Sequence, residues 1–240
     1  MPENQPQQQN NMQSTPSWYR QWWGVMILIF LILLISLATF FAFAVLKSVR
    51  EHRAGLSTNL WLPQLTKVPN AKLGGKNHSF GTTSPKISIV EFSDFACHYC
   101  KREYPVLRQL MMANLKDYEF VYRDYPVVTN DSNALAMAGR CAGEQGLFWK
   151  MHDYLFENQG IKTETELIEA AKAIGAKTAQ FTTCLQTKKY QTEITNDLNF
   201  GVGQKIEGTP TIYINNYRLP TGEIPLATLQ EIIKEILNAN

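Results

Sequence analysis

Apolar and polar positions follow several distinct rhythms along this chain. The first is an uninterrupted apolar run, "GVMILIFLILLISLATFFAFAVL", from Gly24 to Leu46, with no charged residue in it. At 1.5 Å per residue it reaches about 34 Å, enough to cross a bilayer core of about 30 Å. Trp18, Tyr19, Trp22 and Trp23 precede it, as aromatic side chains do at a membrane face. Short β-rich runs come next: "KISIVEF" (Lys86 to Phe92) and "YEFVYRDY" (Tyr118 to Tyr125). Between them Val106, Leu107, Leu110, Met111 and Leu115 recur at helical spacing, predicting a helix from Cys97 to about Lys116 that Pro105 kinks.

From about Asn130 to Ile206 the rhythm is helical, in short segments punctuated by glycine. "TETE" before "LIEAA" fits a capping box with Thr163 or Thr165 as its first residue. Strand character returns in "TPTIYIN" (Thr209 to Asn215). "YRLPTGEI" can pair back across an Asn215-Asn216 turn, and "LATLQEIIKEIL" closes with a helix. The order is strand, helix, strand, helical block, strand, strand, helix: an α/β chain whose sheet is interrupted by an all-helical insertion over about residues 130–206.

The ends and joints read differently. Residues 1–23 predict a disordered Gln/Asn-rich tail, 24–46 a transmembrane anchor, 47–80 a linker without sustained period, and 81–240 the main domain. A cleaved signal peptide is the alternative to an anchor, since Ala42-Phe43-Ala44 resembles a cleavage site. The run exceeds the usual 7–15 apolar residues of such peptides. Only Arg20 precedes the run as a strong cation, whereas Lys47, Arg50 and Arg53 follow it. By charge alone the main domain would lie in the cytoplasm. A net charge of +2 without a long basic run gives no reason to expect nucleic acid as a partner.

The chemistry concentrates in "EFSDFACHYCKREYP", Glu91 to Pro105. Two of the four cysteines stand there as C-x-x-C, where a strand gives way to a helix. A helix start presents unpaired N–H groups and a positive dipole end, which lower the pKa of a thiol. Cys97 is therefore expected as the reactive thiolate and Cys100, one turn inside, as its resolving partner. His98 would add to thiolate stabilisation if protonated. Zinc is the competing use of such a pair, with Cys141 and Cys184 as the remaining thiols, although neither has a close partner in sequence. Phe148, Trp149, Met151, Tyr154, Leu155 and Phe156 read as core. Phe95 and Tyr99 read as groove or packing residues, and His152 as a helix-surface or core-edge residue.

The strand–C-x-x-C–helix unit, together with "GTPT" (Gly208 to Thr211) before a strand, resembles the thioredoxin superfamily. "EFSDFACHYC", "CAGEQGLFWKMHDYLF" and "FTTCL" narrow the resemblance to DsbA-like thiol–disulfide oxidoreductases over about Phe80 to Asn240. The resemblance implies a thioredoxin-like fold with an inserted helical domain, here preceded by a single N-terminal membrane helix. It places catalytic roles on Cys97, Cys100 and Glu91, the last a buried acid exchanging a proton with Cys100, beside the role read for His98 from its position. Thr209, cis-Pro210 and Tyr99 would meet the substrate, and Cys141 and Cys184 would form a structural disulfide. Proline follows the first cysteine in many relatives, and His98 stands there in this chain.

The activity so implied is oxidation of reduced extracytoplasmic proteins by a cell-membrane enzyme without a cofactor. Reoxidation would come from a DsbB-like or vitamin K epoxide reductase-like membrane partner. A reductase or isomerase on the same fold, and a zinc-stabilised tethered binding module, stay open as alternatives.

Overall fold

A computed structural model describes residues 18–61, 65–68 and 78–238. The predicted tail over residues 1–17 lies outside these. The chain divides into two units, residues 1–55 and 56–240. The first is dominated by α1 (Trp18–Trp61). Its apolar length, Trp22–Arg50, is long enough to cross a membrane. The helix begins before Gly24 and runs past Leu46, so residues 18–23 are not tail and 47–61 are not irregular linker. No proline lies between Trp18 and Trp61 to stop a helix once begun.

The second unit is built on one six-stranded sheet. Its strands are β1 (Thr66–Lys67), β2 (His78–Gly81), β3 (Ile87–Ser93), β4 (Tyr118–Asp124), β5 (Thr211–Ile214) and β6 (Tyr217–Arg218). Their spatial order is β1-β6-β5-β3-β4-β2, with only β3 and β4 parallel. The short β1 and β2 arise within the stretch read as linker. Two to four residues are too few to show a period, and their pairing with β6 and β4 is what makes them strands. Asn215 turns the β5–β6 hairpin with φ 52°, and its Oδ1 accepts from the Ser88 N–H at 2.8 Å. Asparagine tolerates that left-handed conformation better than most residues.

Both faces of the sheet are covered, which is why β3 reads as a nearly continuous apolar run. Ile87 and Ile89 pack on one face with Ile212 and Ile214. There they meet α2 (His98–Met112) and α8 (Leu226–Asn238) through Leu107, Leu110, Met111, Leu229, Ile232 and Ile233. Val90, Phe92, Val121 and Tyr213 point the other way, toward Ile206 and Phe200. Side chains alternate along a strand, so Glu91 falls on the α2 face with Ile87 and Ile89. Pro105 sits inside α2 without ending it.

Between β4 and β5 come α3 (Ser132–Gly143), α4 (Phe148–Glu157), α5 (Glu164–Ala173), α6 (Thr178–Gln186) and α7 (Gln191–Gly203). Thr163 caps α5, with Glu166 closing the capping box. Cys141 in α3 and Cys184 in α6 are joined, Cα to Cα 5.8 Å. Four buried charges tie this insertion to the sheet. Arg140 donates to Asp124 and to Asp197, each at 2.5 Å, and Arg123 donates to Asp197 at 2.6 Å.

Candidate functional site

The last residue of β3 is Ser93, and four residues later Cys97 starts α2 as its N-cap. Asp94 shapes the turn between them. Its Oδ1 accepts from the Ala96 N–H at 2.9 Å and its backbone carbonyl from the Cys97 N–H at 2.9 Å. Its Oδ2 takes the Val127 and Val128 N–H groups at 2.9 and 2.8 Å. One buried carboxylate thus fixes the cysteine turn against the loop after β4. Gln159 reaches over from the insertion and donates to the carbonyls of Phe95 and Cys97, at 2.9 and 2.8 Å.

Both cysteines of the pair are free thiols, and both are buried. Cys97 Sγ accepts from the Cys100 N–H at 3.4 Å, so the open end of the helix points a donor at it. In its protonated state the Cys97 thiol donates to the Thr209 carbonyl at 3.3 Å. Thr209 is followed by Pro210 across a cis peptide bond, which places this turn against the first cysteine. The Cys97 thiol is lowered to about 6. The largest cause is the hydrogen bond from the Cys100 thiol. Burial opposes it, and the Thr209 hydroxyl, outside normal hydrogen-bond geometry, and the N–H groups of Cys100 and Tyr99 assist it. Cys100 moves the other way, raised first by burial, then by its bond to Cys97 and the nearby charge of Glu91.

Glu91 is fully buried on β3, opposite Ile212 on one side and Tyr122 on the other. Neither carboxyl oxygen has a hydrogen-bond partner. Burial pushes its pKa up to about 8. The Ser93 hydroxyl, outside normal hydrogen-bond geometry, pulls down, while Glu103 and Cys97 add to the rise. Glu103, one turn beyond Cys100, is a second buried acid, raised to about 7 chiefly by burial. Its Oε2 accepts from the Ile224 N–H at 2.9 Å, and the Gly222 N–H donates to the Pro210 carbonyl at 2.9 Å. The loop after β6 is thereby fastened both to α2 and to the cis-proline turn.

The remaining predicted residues separate. His98 and Tyr99 are exposed on α2. Arg102 lies against both, its guanidinium contacting His98 Nε2 and standing 4.8 Å over the Tyr99 ring. Arg102 thus brings a cation beside the pair. It is paired with Glu223, and Cys97 is among the charges that raise its pKa. Phe95 is 2% exposed and stacks on Tyr122, so it is core and not groove. His152 is also core, 3% exposed within a shell of aromatic rings, because α4 lays it against Phe95, Tyr104 and Tyr122.

Among the described residues no group of three or more metal-binding side chains converges. Cys141 and Cys184, bonded to each other, are not available as thiolates for a four-cysteine zinc site. Asp94, Arg102, Glu103 and Gln159 were not singled out from sequence. Only Asp94 carried a local signal, an Asx-type turn in "SDFAC".

A family model described as thioredoxin matches residues 74–235. Among curated proteins, a Na(+)/H(+) antiporter NhaA 1 of Salinispora arenicola is 29% identical over 145 residues, 60% of this chain and 22% of the antiporter. The chain thus spans about a fifth of the length of that relative. A probable disulfide bond formation protein D of Bacillus cereus is 26% identical over 57% of this chain and 69% of that protein. Two crystal structures share the fold. A thioredoxin-like oxidoreductase from Silicibacter pomeroyi has TM-score 0.64 and 23% identity, covering 70% of this chain and 95% of that one. BdbD from Bacillus subtilis, oxidised, has TM-score 0.61 and 21% identity, covering 68% and 93%.

Proposed function

The chain belongs to the thioredoxin family, and from that premise we propose that it is a DsbA-like thiol–disulfide oxidoreductase, a membrane-anchored oxidase that places disulfides into reduced extracytoplasmic proteins. The observation that carries the reading is the unequal pair at the start of α2. Cys97 is lowered to about 6 while Cys100 is raised and buried. A stabilised Cys97 thiolate favours the dithiol state, which makes the Cys97–Cys100 disulfide the stronger oxidant.

The reaction follows from that asymmetry. A substrate thiolate attacks Cys97 Sγ of the disulfide. The Cys97–Cys100 bond breaks as the mixed disulfide forms, and its electron pair leaves on Cys100, which takes a proton. A second substrate thiolate then attacks the substrate sulfur, forming the product disulfide and releasing the Cys97 thiolate. Two electrons have passed from substrate to protein, to be removed by a membrane partner of the DsbB-like or vitamin K epoxide reductase-like kind. Glu91, next to Cys100 in the buried layer, serves as the proton donor and acceptor. The turn at Thr209 and Pro210 offers backbone for an extended substrate segment. Tyr99, exposed beside the pair, supplies an apolar contact for it. The long apolar stretch of α1 supports anchoring in the cell membrane, and a structural disulfide at Cys141–Cys184 suits an oxidising compartment. With 22% of the antiporter covered, ion exchange is not carried over to this chain.

The test is to mix the oxidised full chain with a reduced, unfolded substrate that regains activity on disulfide formation. Wild type should restore activity, and Cys97→Ala should not. Equal recovery with both, or none with either, overturns the proposal. Equilibration with glutathione separates directions: an oxidase is largely reduced by the glutathione pool, a reductase is not.

A further inference from the structure

The acid that exchanges a proton with Cys100 is sealed from water, so its proton needs a way out. Glu91 is fully buried, and neither of its oxygens is hydrogen-bonded within the protein. It lines a small cavity of about 10 Å³ between the sheet, α2 and α4. That is about the room one water molecule requires. His152 lines the same cavity from α4, and its Nε2 is a second buried polar atom without a partner. Its Nδ1 lies 2.9 Å from Asp153 Oδ1, and the Asp153 side chain is 35% exposed. Arg108, paired with Asp153, and Tyr104, bonded through its hydroxyl to Glu157, complete the polar rim.

We propose that His152, on the helical insertion, carries the proton of Glu91 to solvent through one water held in this cavity. The inference rests on the redox reading of Cys97 and Cys100 given above. The donor pattern defines the route. With Nδ1–H donating to Asp153, the neutral imidazole leaves Nε2 as an acceptor facing the cavity. When Cys100 attacks a Cys97 mixed disulfide, the Cys97–Cys100 bond forms, the thiol on Cys97 leaves with its electron pair, and the Cys100 proton passes to Glu91. From Glu91 the proton moves to the water, and the water gives one to Nε2. Nδ1 releases one to Asp153 and so to bulk solvent. The reverse sequence brings a proton in when Cys100 is the leaving group.

The groups facing His152 suit this role. Asp153 is on its own helix, Tyr104 and Arg108 on α2, Glu91 on β3 and Tyr122 on β4. Burial is the first cause lowering the pKa of His152, ahead of Asp153, which raises it, and Arg108, which lowers it. A neutral imidazole that gains and loses a proton in turn has the chemistry such a passage requires.

The test follows release of glutathione from a Cys97–glutathione mixed disulfide of the full chain, in H2O and D2O, across pH 5 to 9. The variants are His152→Phe and His152→Gln, each made in wild type and with Glu91→Ala. His152→Phe keeps the aromatic packing. His152→Gln keeps a polar side chain that cannot pass a proton, and it carries the test if the first does not fold. The expected result is slowing on the order of tenfold, with an altered solvent isotope effect, and no further slowing once Glu91 is alanine. An unchanged rate, or the same slowing with and without Glu91, overturns the proposal. If wild type itself releases no glutathione, or releases it equally with Cys100→Ala, the redox reading has failed instead.

Discussion

Replacing Glu91 by glutamine should flatten the loss of stability that the fold suffers as pH rises. A buried acid whose pKa is raised on folding binds its proton more tightly in the folded state. Its stabilising contribution is complete below the unfolded pKa and is lost as pH rises through the folded one. With a pKa of about 8 against an ordinary 4.5, the window runs from about pH 4.5 to pH 8. Integrated from pH 5 to pH 8, the linkage removes on the order of 3.5 kcal/mol from the wild type. Glutamine does not titrate, so Glu91→Gln should lack that part of the decline while keeping the slope due to every other group. The assay is urea unfolding of both full-length proteins in detergent at half-unit steps from pH 5 to 8. The Cys97–Cys100 pair is kept reduced and the second disulfide intact. The stability difference between variant and wild type should grow by a few kcal/mol toward pH 8. Parallel curves would show that Glu91 ionises as it does in water, and the argument for a sealed acid would fall with them.

Three further outcomes follow. Thiolate absorbance of the reduced protein should titrate Cys97 near pH 6. At pH 7 that stabilises the dithiol form by at most about 1.4 kcal/mol, about 30 mV in potential, and a midpoint near 9 would contradict it. Replacing Cys141 and Cys184 together by alanine opens a 43-residue separation and should cost about 4 kcal/mol, read as a lower urea midpoint. An unchanged midpoint would refute that. Gln159→Ala removes two bonds to the cysteine turn and should cost about 2 kcal/mol. Faster amide exchange at Cys97 and Lys101 should accompany it, and unaltered protection there would deny Gln159 its clamp.

The parts legible in the sequence were those with local causes. A strand running into C-x-x-C and a helix announces itself within fifteen residues, and the capping box at Thr163 within four. Period-two alternation also places Glu91 on the Ile87 and Ile89 face without any structure. What stayed hidden depends on distant partners. β1 and β2 become strands only because β6 and β4 accept them. His152 looks like an edge residue on its own helix, and becomes core only when α4 is laid across β3 and α2. Gln159 is one glutamine among many until the insertion folds back to put its amide on Cys97. Arg102, a cation one turn along the same helix from His98, likewise went unnoticed until its side chain was placed against His98 and Tyr99.

The four buried charges between insertion and sheet bear on how such a molecule can change over generations. Arg123 and Asp124 belong to the sheet, Arg140 and Asp197 to the inserted helices, and each side carries one charge of each sign. A transplanted insertion from a cousin lacking this arrangement would strand ions in a dry interior, which costs several kcal/mol apiece. An exchange of either piece therefore has to bring matching charges with it, whereas exposed loop residues can be exchanged without disturbing that treaty.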